Sequence, residues 1–117
     1  INTRLIVSEI LGPRCRAFDS AEAFLASDPP DSGVVVLDYL MGGMSGLELQ
    51  KQLGSRYHIV FLSGEAGVDT AAQAFRHGCV DFVTKPVSPG HLVQAVGEAI
   101  RAHRRTERAY SKIARRT

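Results

Sequence analysis

The sequence predicts a single α/β domain in which a parallel sheet is covered by helices on both faces. Short apolar runs, β-branched or aromatic, recur along the chain and are continuous rather than alternating, as strands buried on both faces should be. Helical stretches separate these runs, so the order strand, helix, strand repeats, which is the pattern of a parallel sheet. The 117 residues match one domain of the ordinary ~100 to 150 residues and leave no room for a second.

The expected strands are Val34 to Leu37, Ile59 to Leu62, and Val80 to Val83, the last interrupted by Asp81. Cys15 to Phe18 is a shorter and more polar candidate, as an edge strand would be. A helix is expected from an Asp19 or Ser20 cap to the stop at Asp28-Pro29-Pro30. Gly46 to Leu53 puts Leu47, Leu49 and Leu53 on or near one helical face. Asp69 to His77 is Ala-rich, with Asp69 or Thr70 as its cap and Gly78 closing it. The last helix begins near Pro89 and runs on to the last residues. Its residues Leu92, Val96, Ala99, His103, Thr106, Tyr110 and Ile113 form a heptad seam. The first half should pack on the sheet. Beyond Arg101 the seam weakens at His103 and Thr106, and that part either pairs with another helix or stands in solvent.

A hydrophobic content of 44%, a charged content of 22% and a mean hydropathy of -0.03 exclude disorder and fibrous repeats for most of the chain. No apolar run approaches the ~18 to 20 residues of a membrane span, and no signal peptide opens the chain. A cytoplasmic location without membrane partners is therefore expected. Cys15 and Cys79 have neither metal-ligand spacing nor the density of a disulfide scaffold, so reduced, structural thiols are expected. The net charge of +2 hides a division. Residues 101–117 carry seven Lys and Arg against Glu107 alone, a net of +6, and residues 1–100 carry -4. We divide the chain into a domain over 1–100 and a basic helical extension or linker over 101–117.

Ligand sites in open parallel sheets lie at the carboxyl ends of the strands. Each expected strand ends there in a polar residue of a definite kind: Asp38, then Ser63 followed by Gly64, then Lys85 followed by Pro86. A lone Asp after an apolar run is most often a helix cap or a salt-bridge partner. A lysine and a small hydroxyl converging on it suit a site that receives a dianionic phosphoryl group. Asp would attack phosphorus, Lys would pair with one equatorial oxygen and Ser would hydrogen-bond another. Gly64 would let the backbone come close to that group.

The same positions carry a resemblance. Val-Leu-Asp38-Tyr-Leu-Met-Gly-Gly-Met-Ser-Gly46, Phe-Leu-Ser63-Gly-Glu and Asp81-Phe-Val-Thr-Lys85-Pro86 resemble, in order and spacing, the three signature segments of the response-regulator receiver domain of two-component signalling. The stretches from Arg16 to Leu25 and from Asp69 to Phe82 are similar in particular to FixJ-like receivers, which usually precede a LuxR-type helix-turn-helix domain. The resemblance implies a flavodoxin-like doubly wound parallel sheet of order 2-1-3-4-5. It makes Asp38 the phospho-acceptor, Lys85 the phosphate-pairing cation and Ser63 the switch hydroxyl. It makes Phe82 the rotating aromatic and the Lys85-Pro86 bond cis, at low cost because the bond precedes proline. It implies Mg²⁺ as cofactor, held by the Asp38 carboxylate and the backbone carbonyl of Leu40.

The sequence departs from that family at its start. Asn2 to Gly12 already reads as the first helix, and no strand with the acidic pair that completes the Mg²⁺ site precedes it. Reading Leu5 to Glu9 as that strand, with Ser8 and Glu9 in place of the acids, leaves only Ile10 to Arg14 for a whole helix containing Gly12 and Pro13. A missing central strand would open a gap of ~4.8 Å with unpaired ladder groups on both sides. We therefore expect an upstream segment to supply it, ahead of a second chain or a rearranged fold. Gly42 stands where the family has proline, and should loosen the loop without removing a ligand. Leu40 and Glu65 sit where the family tunes acyl-phosphate lifetime.

The function these features imply is a phosphorylation switch rather than an enzyme with a turned-over substrate. A histidine kinase would be the donor, and the likeness implies a homodimer through the face of the last helix and strand, with transcriptional output through a DNA-binding domain. The alternative is a degenerate receiver that binds a partner without phosphorylation. An aspartate-nucleophile phosphohydrolase would carry a second Asp two residues on, where this chain has Leu40. The cationic tail is read first as a solvated face and second as a surface for DNA phosphates.

Overall fold

The structure, a computed structural model, describes residues 15–39, 46–64 and 68–116. The expected first helix from Asn2 to Gly12, and Leu40, Gly42 and Glu65, lie outside the described residues. Along the described chain the elements are α1 (Ala21–Ala26), β1 (Gly33–Asp38), α2 (Gly46–Leu53), β2 (Tyr57–Ser63), α3 (Val68–Arg76), β3 (Asp81–Thr84) and α4 (Pro89–Arg116).

The three apolar runs form the three strands, which pair in parallel in the order β1-β2-β3. Register places Leu37 beside Phe61 and Phe61 beside Phe82. Alternation along the strands splits the core in two. Leu37, Ile59, Phe61 and Phe82 pack with Ala21, Leu49 and Ala74 of α1, α2 and α3. Val60, Leu62 and Val83 pack with Leu92, Ala95 and Ala99 of α4 on the opposite face. Helices on both faces of a parallel sheet are what the sequence predicts.

Local signals account for the element ends. Ser20 caps α1, its side chain accepting from the Ala23 N–H at 3.0 Å. Gly78 follows α3 at φ 94°, a left-handed backbone that favours glycine. Pro89 opens α4 in the first helical position, where its missing N–H is not needed. Two expectations shift. The third helix already begins at Val68, so Asp69 and Thr70 lie in its first turn rather than as caps. Cys15 to Phe18 joins no ladder among the described residues. A strand exists only through a neighbour, and the described sheet offers this segment none.

The extension beyond Arg101 follows neither expected alternative as far as Tyr110, and beyond it residues 111–115 stand exposed to solvent. The seam turns polar because it docks on polar groups at the amino ends of β1 and β2. Arg56 Nη2 donates to Glu107 Oε1 at 2.9 Å, and its guanidinium lies 4.2 Å from the centre of the Tyr110 ring. His58 Nε2 and Thr106 Oγ1 are 3.1 Å apart, and His103 Nε2 and Ser32 Oγ are 3.2 Å apart. The two imidazoles meet edge to face with centroids 6.1 Å apart. This clasp fixes the direction of α4 to Tyr110.

The clasp is sensitive to acid. Burial, then His103 and Arg105, hold His58 below its ordinary value of 6.5, and Glu107 opposes them weakly. The unfolded chain therefore binds the His58 proton more readily than the folded one. Stability is full above about 6.5 and falls as pH drops from there through the lower folded value. Glu107, held below its ordinary range by hydrogen bonds from Arg56 and Ser32, adds a loss at lower pH still. We expect the urea midpoint to fall as pH drops below about 6.5, and His58→Gln to flatten that part of the profile.

Candidate functional site

The carboxyl ends of the three strands form one rim. Asp38 closes β1 opposite Leu62, and Ser63 closes β2 opposite Thr84. The ladder continues one step past both strand ends, with Tyr39 N donating to Leu62 O at 2.8 Å and Lys85 N donating to Ser63 O at 2.8 Å. Backbone pairing thus holds Asp38, Ser63 and Lys85 in register.

Strands lie ~4.8 Å apart, so Asp38 and Lys85, two strands apart, start ~10 Å from each other. The lysine side chain crosses this distance over the end of β2, and its Nζ reaches Asp38 Oδ2 at 2.6 Å. A Cβ added at Gly64 would touch only Lys85 Cδ, at 3.9 Å, so the lysine stem runs past this glycine. The Asp38 and Lys85 side chains are about one-third exposed, at 32% and 28%. The site is therefore a mouth open to a ligand from solvent. Ser63 is 1% exposed, and its Oγ has no hydrogen-bond partner among the described residues. A buried hydroxyl left so costs about 1–3 kcal/mol, which a new acceptor would recover.

Behind the rim stands an aromatic cluster. Phe82 is 9% exposed, inside the core, with its ring 6.0 Å from Phe61 and 5.8 Å from Tyr39. By strand alternation Ser63 projects to the same face as Phe61 and is a diagonal neighbour of Phe82. Phe82 is thus packed inward, beside the serine whose movement it is expected to follow. The Lys85–Pro86 peptide bond is cis.

Two residues at the site were missed by sequence reasoning. Tyr39 joins the aromatic cluster, its ring 5.5 Å from Phe61. Gly46, where α2 begins, has its N–H on Tyr39 O at 3.2 Å. A Cβ there would fall 2.9 Å from Phe61 Cε1, 3.1 Å from Asp38 O and 3.2 Å from Tyr39 Cα. Only glycine lets the helix start sit directly against the end of β1 and so bracket Asp38. Its place at the end of the signature segment was the available signal.

Asp38 offers the donor a hard cation takes, a carboxylate oxygen. Among the described residues no group of three or more His, Cys, Asp or Glu side chains is placed to hold a metal ion. Leu40, the other expected ligand, lies outside them, so the described donors fit Mg²⁺ in kind and do not complete its shell. Away from the rim, Cys15 and Cys79 are both free. Burial, then Asp81, push the Cys79 thiol up to about 11, which makes it an inert core group. No helix among the described residues is long and apolar enough to cross a membrane.

Comparison with known proteins agrees with this arrangement. Residues 3–97 match the family described as the response regulator receiver domain. The chain is 36% identical over 95 residues to response regulator protein TmoT of Ectopseudomonas mendocina, covering 78% of this chain and 43% of that protein. It is 40% identical over 81 residues to transcriptional regulatory protein FixJ of Azorhizobium caulinodans, covering 66% of this chain and 38% of that one. The chain thus spans less than half the length of either relative. The solved low-resolution structure of response regulator StyR superposes with a TM-score of 0.84 at 27% identity, over 97% of this chain and 61% of that one. With the fold, the strand-end residues and the sequence match in agreement, the chain belongs to the response regulator receiver domain family.

Proposed function

We propose that this domain is a phosphorylation switch in which Asp38 accepts a phosphoryl group from a phosphohistidine of a histidine kinase. The observation that carries the reading is the Asp38–Lys85 pair at 2.6 Å beside the buried Ser63 Oγ, which has no hydrogen-bond partner among the described residues. An Asp38 carboxylate oxygen attacks phosphorus, the bond from phosphorus to the donor imidazole nitrogen breaks, and the freed imidazole takes a proton from solvent. Lys85 holds Asp38 Oδ2 before transfer and is in reach of a phosphoryl oxygen afterwards. The Ser63 hydroxyl donates to another phosphoryl oxygen, drawing the end of β2 towards it. A bound Mg²⁺, with Asp38 among its ligands, would offset the negative charge of the incoming group.

Phe82 and Tyr39 give this movement a path outward, because both rings pack on the strand that carries Ser63. The output face would be that of α3, β3 and α4, and a homodimer through it is the expected response. TmoT is named a response regulator and FixJ a transcriptional regulator. Transcriptional output through a further DNA-binding domain is the corresponding proposal for the whole protein. The test is intact mass after incubation with acetyl phosphate and Mg²⁺, beside an EDTA control. A gain of one phosphoryl group that EDTA prevents is expected. Equal mass in both samples of folded protein would overturn the reading.

A further inference from the structure

The clasp that docks α4 also decides where its charge points. Leu92, Ala95 and Ala99 face the sheet, and His103, Thr106 and Tyr110 continue on the same side against Ser32, His58 and Arg56. With about 100° between successive helical residues, Arg101, Arg104, Arg105, Arg108, Lys112 and Arg115 fall within about 100° of arc on the opposite side. All six are exposed. The one acid of the segment, Glu107, lies on the docked side and is held by Arg56. Among the described residues none of the six cations makes an ion pair. The stripe rises ~21 Å from Arg101 to Arg115.

We propose that this stripe is a docking surface for the phosphate backbone of duplex DNA, read by charge and not by base sequence. Five of the six cations are arginines, whose planar forks match phosphate oxygens. A helix lying on a membrane would bury the face opposite its cations in acyl chains. Here that face is held from His103 to Tyr110 by Ser32, His58 and Arg56, which leaves Ile113 and part of the Tyr110 ring exposed, too little apolar surface for such burial. The surface lies on the basic extension of α4 and does not depend on phosphorylation of Asp38.

The test is fluorescence anisotropy of a labelled duplex of arbitrary sequence, titrated with the chain over a series of salt concentrations. Binding is expected at low salt, with log K falling linearly in log salt by ~0.9 per phosphate contacted. The triple variant Arg104→Gln, Arg108→Gln, Lys112→Gln, all at exposed positions, should weaken binding at least tenfold and lower the slope by up to about 3. The pair Arg104→Lys, Arg108→Lys keeps the charge and should keep the slope. Circular dichroism confirms that each variant is folded. No binding at low salt, an unchanged slope in the triple variant, or tighter retention by phosphatidylserine vesicles than by duplex would overturn the proposal.

Discussion

Asp38→Asn is expected to abolish phosphoryl transfer to the domain while leaving the fold in place. Asparagine keeps the shape of the side chain and removes the anionic oxygen that attacks phosphorus. Its structural cost is small for a reason visible in the site. The Asp38–Lys85 pair is about one-third exposed, so solvent screens it and its loss removes about 1 kcal/mol or less. Activity and stability therefore separate in this variant. Intact mass should show no gain under conditions that label the parent chain, and urea unfolding should give nearly the same midpoint. Labelling retained in Asp38→Asn would place the acceptor elsewhere.

Phe61→Ala should have the largest effect on stability. Phe61 is fully buried at the centre of the central strand, paired with Leu37 on one side and Phe82 on the other. Its ring meets Tyr39 at 5.5 Å and Phe82 at 6.0 Å and fills the space against which Gly46 sits. Truncation removes the ring and leaves a cavity that this close-packed surround closes only in part, a loss of about 3–5 kcal/mol. Since domains of this size are stable by ~5–15 kcal/mol, much of the folded margin would go. Urea denaturation followed by circular dichroism should show a large fall in midpoint, and Phe61→Leu a smaller one.

Much of this architecture was legible because its signals are local. A run such as Val34 to Leu37 declares itself by being continuous and β-branched, a Ser20 cap and a Gly78 stop act on their own helices, and Asp38, Ser63 and Lys85 each stand at the end of a strand. Parallel pairing then brings them to one rim without further instruction. The parts that were missed depend on contacts between distant segments. His103 and Thr106 look like defects in an apolar seam until Ser32 and His58 are seen to face them. Gly46 reads as a weak helix start until the Phe61 ring and the Asp38 carbonyl are found against it. Cys15 to Phe18 shows the reverse case, a strand candidate with no neighbour to pair with among the described residues.

The central claim is that the crevice at the carboxyl ends of the strands takes a phosphoryl group on Asp38. The most direct test is to treat the chain with Mg²⁺ and acetyl phosphate, reduce the product with borohydride, and locate the modified residue by peptide mass. Borohydride converts an acyl phosphate to an alcohol and so marks the carboxyl group that carried it. The expected result is a single mark at residue 38, absent when Mg²⁺ is chelated. A mark at Asp81 or any other carboxylate, or none in folded protein, would contradict the account.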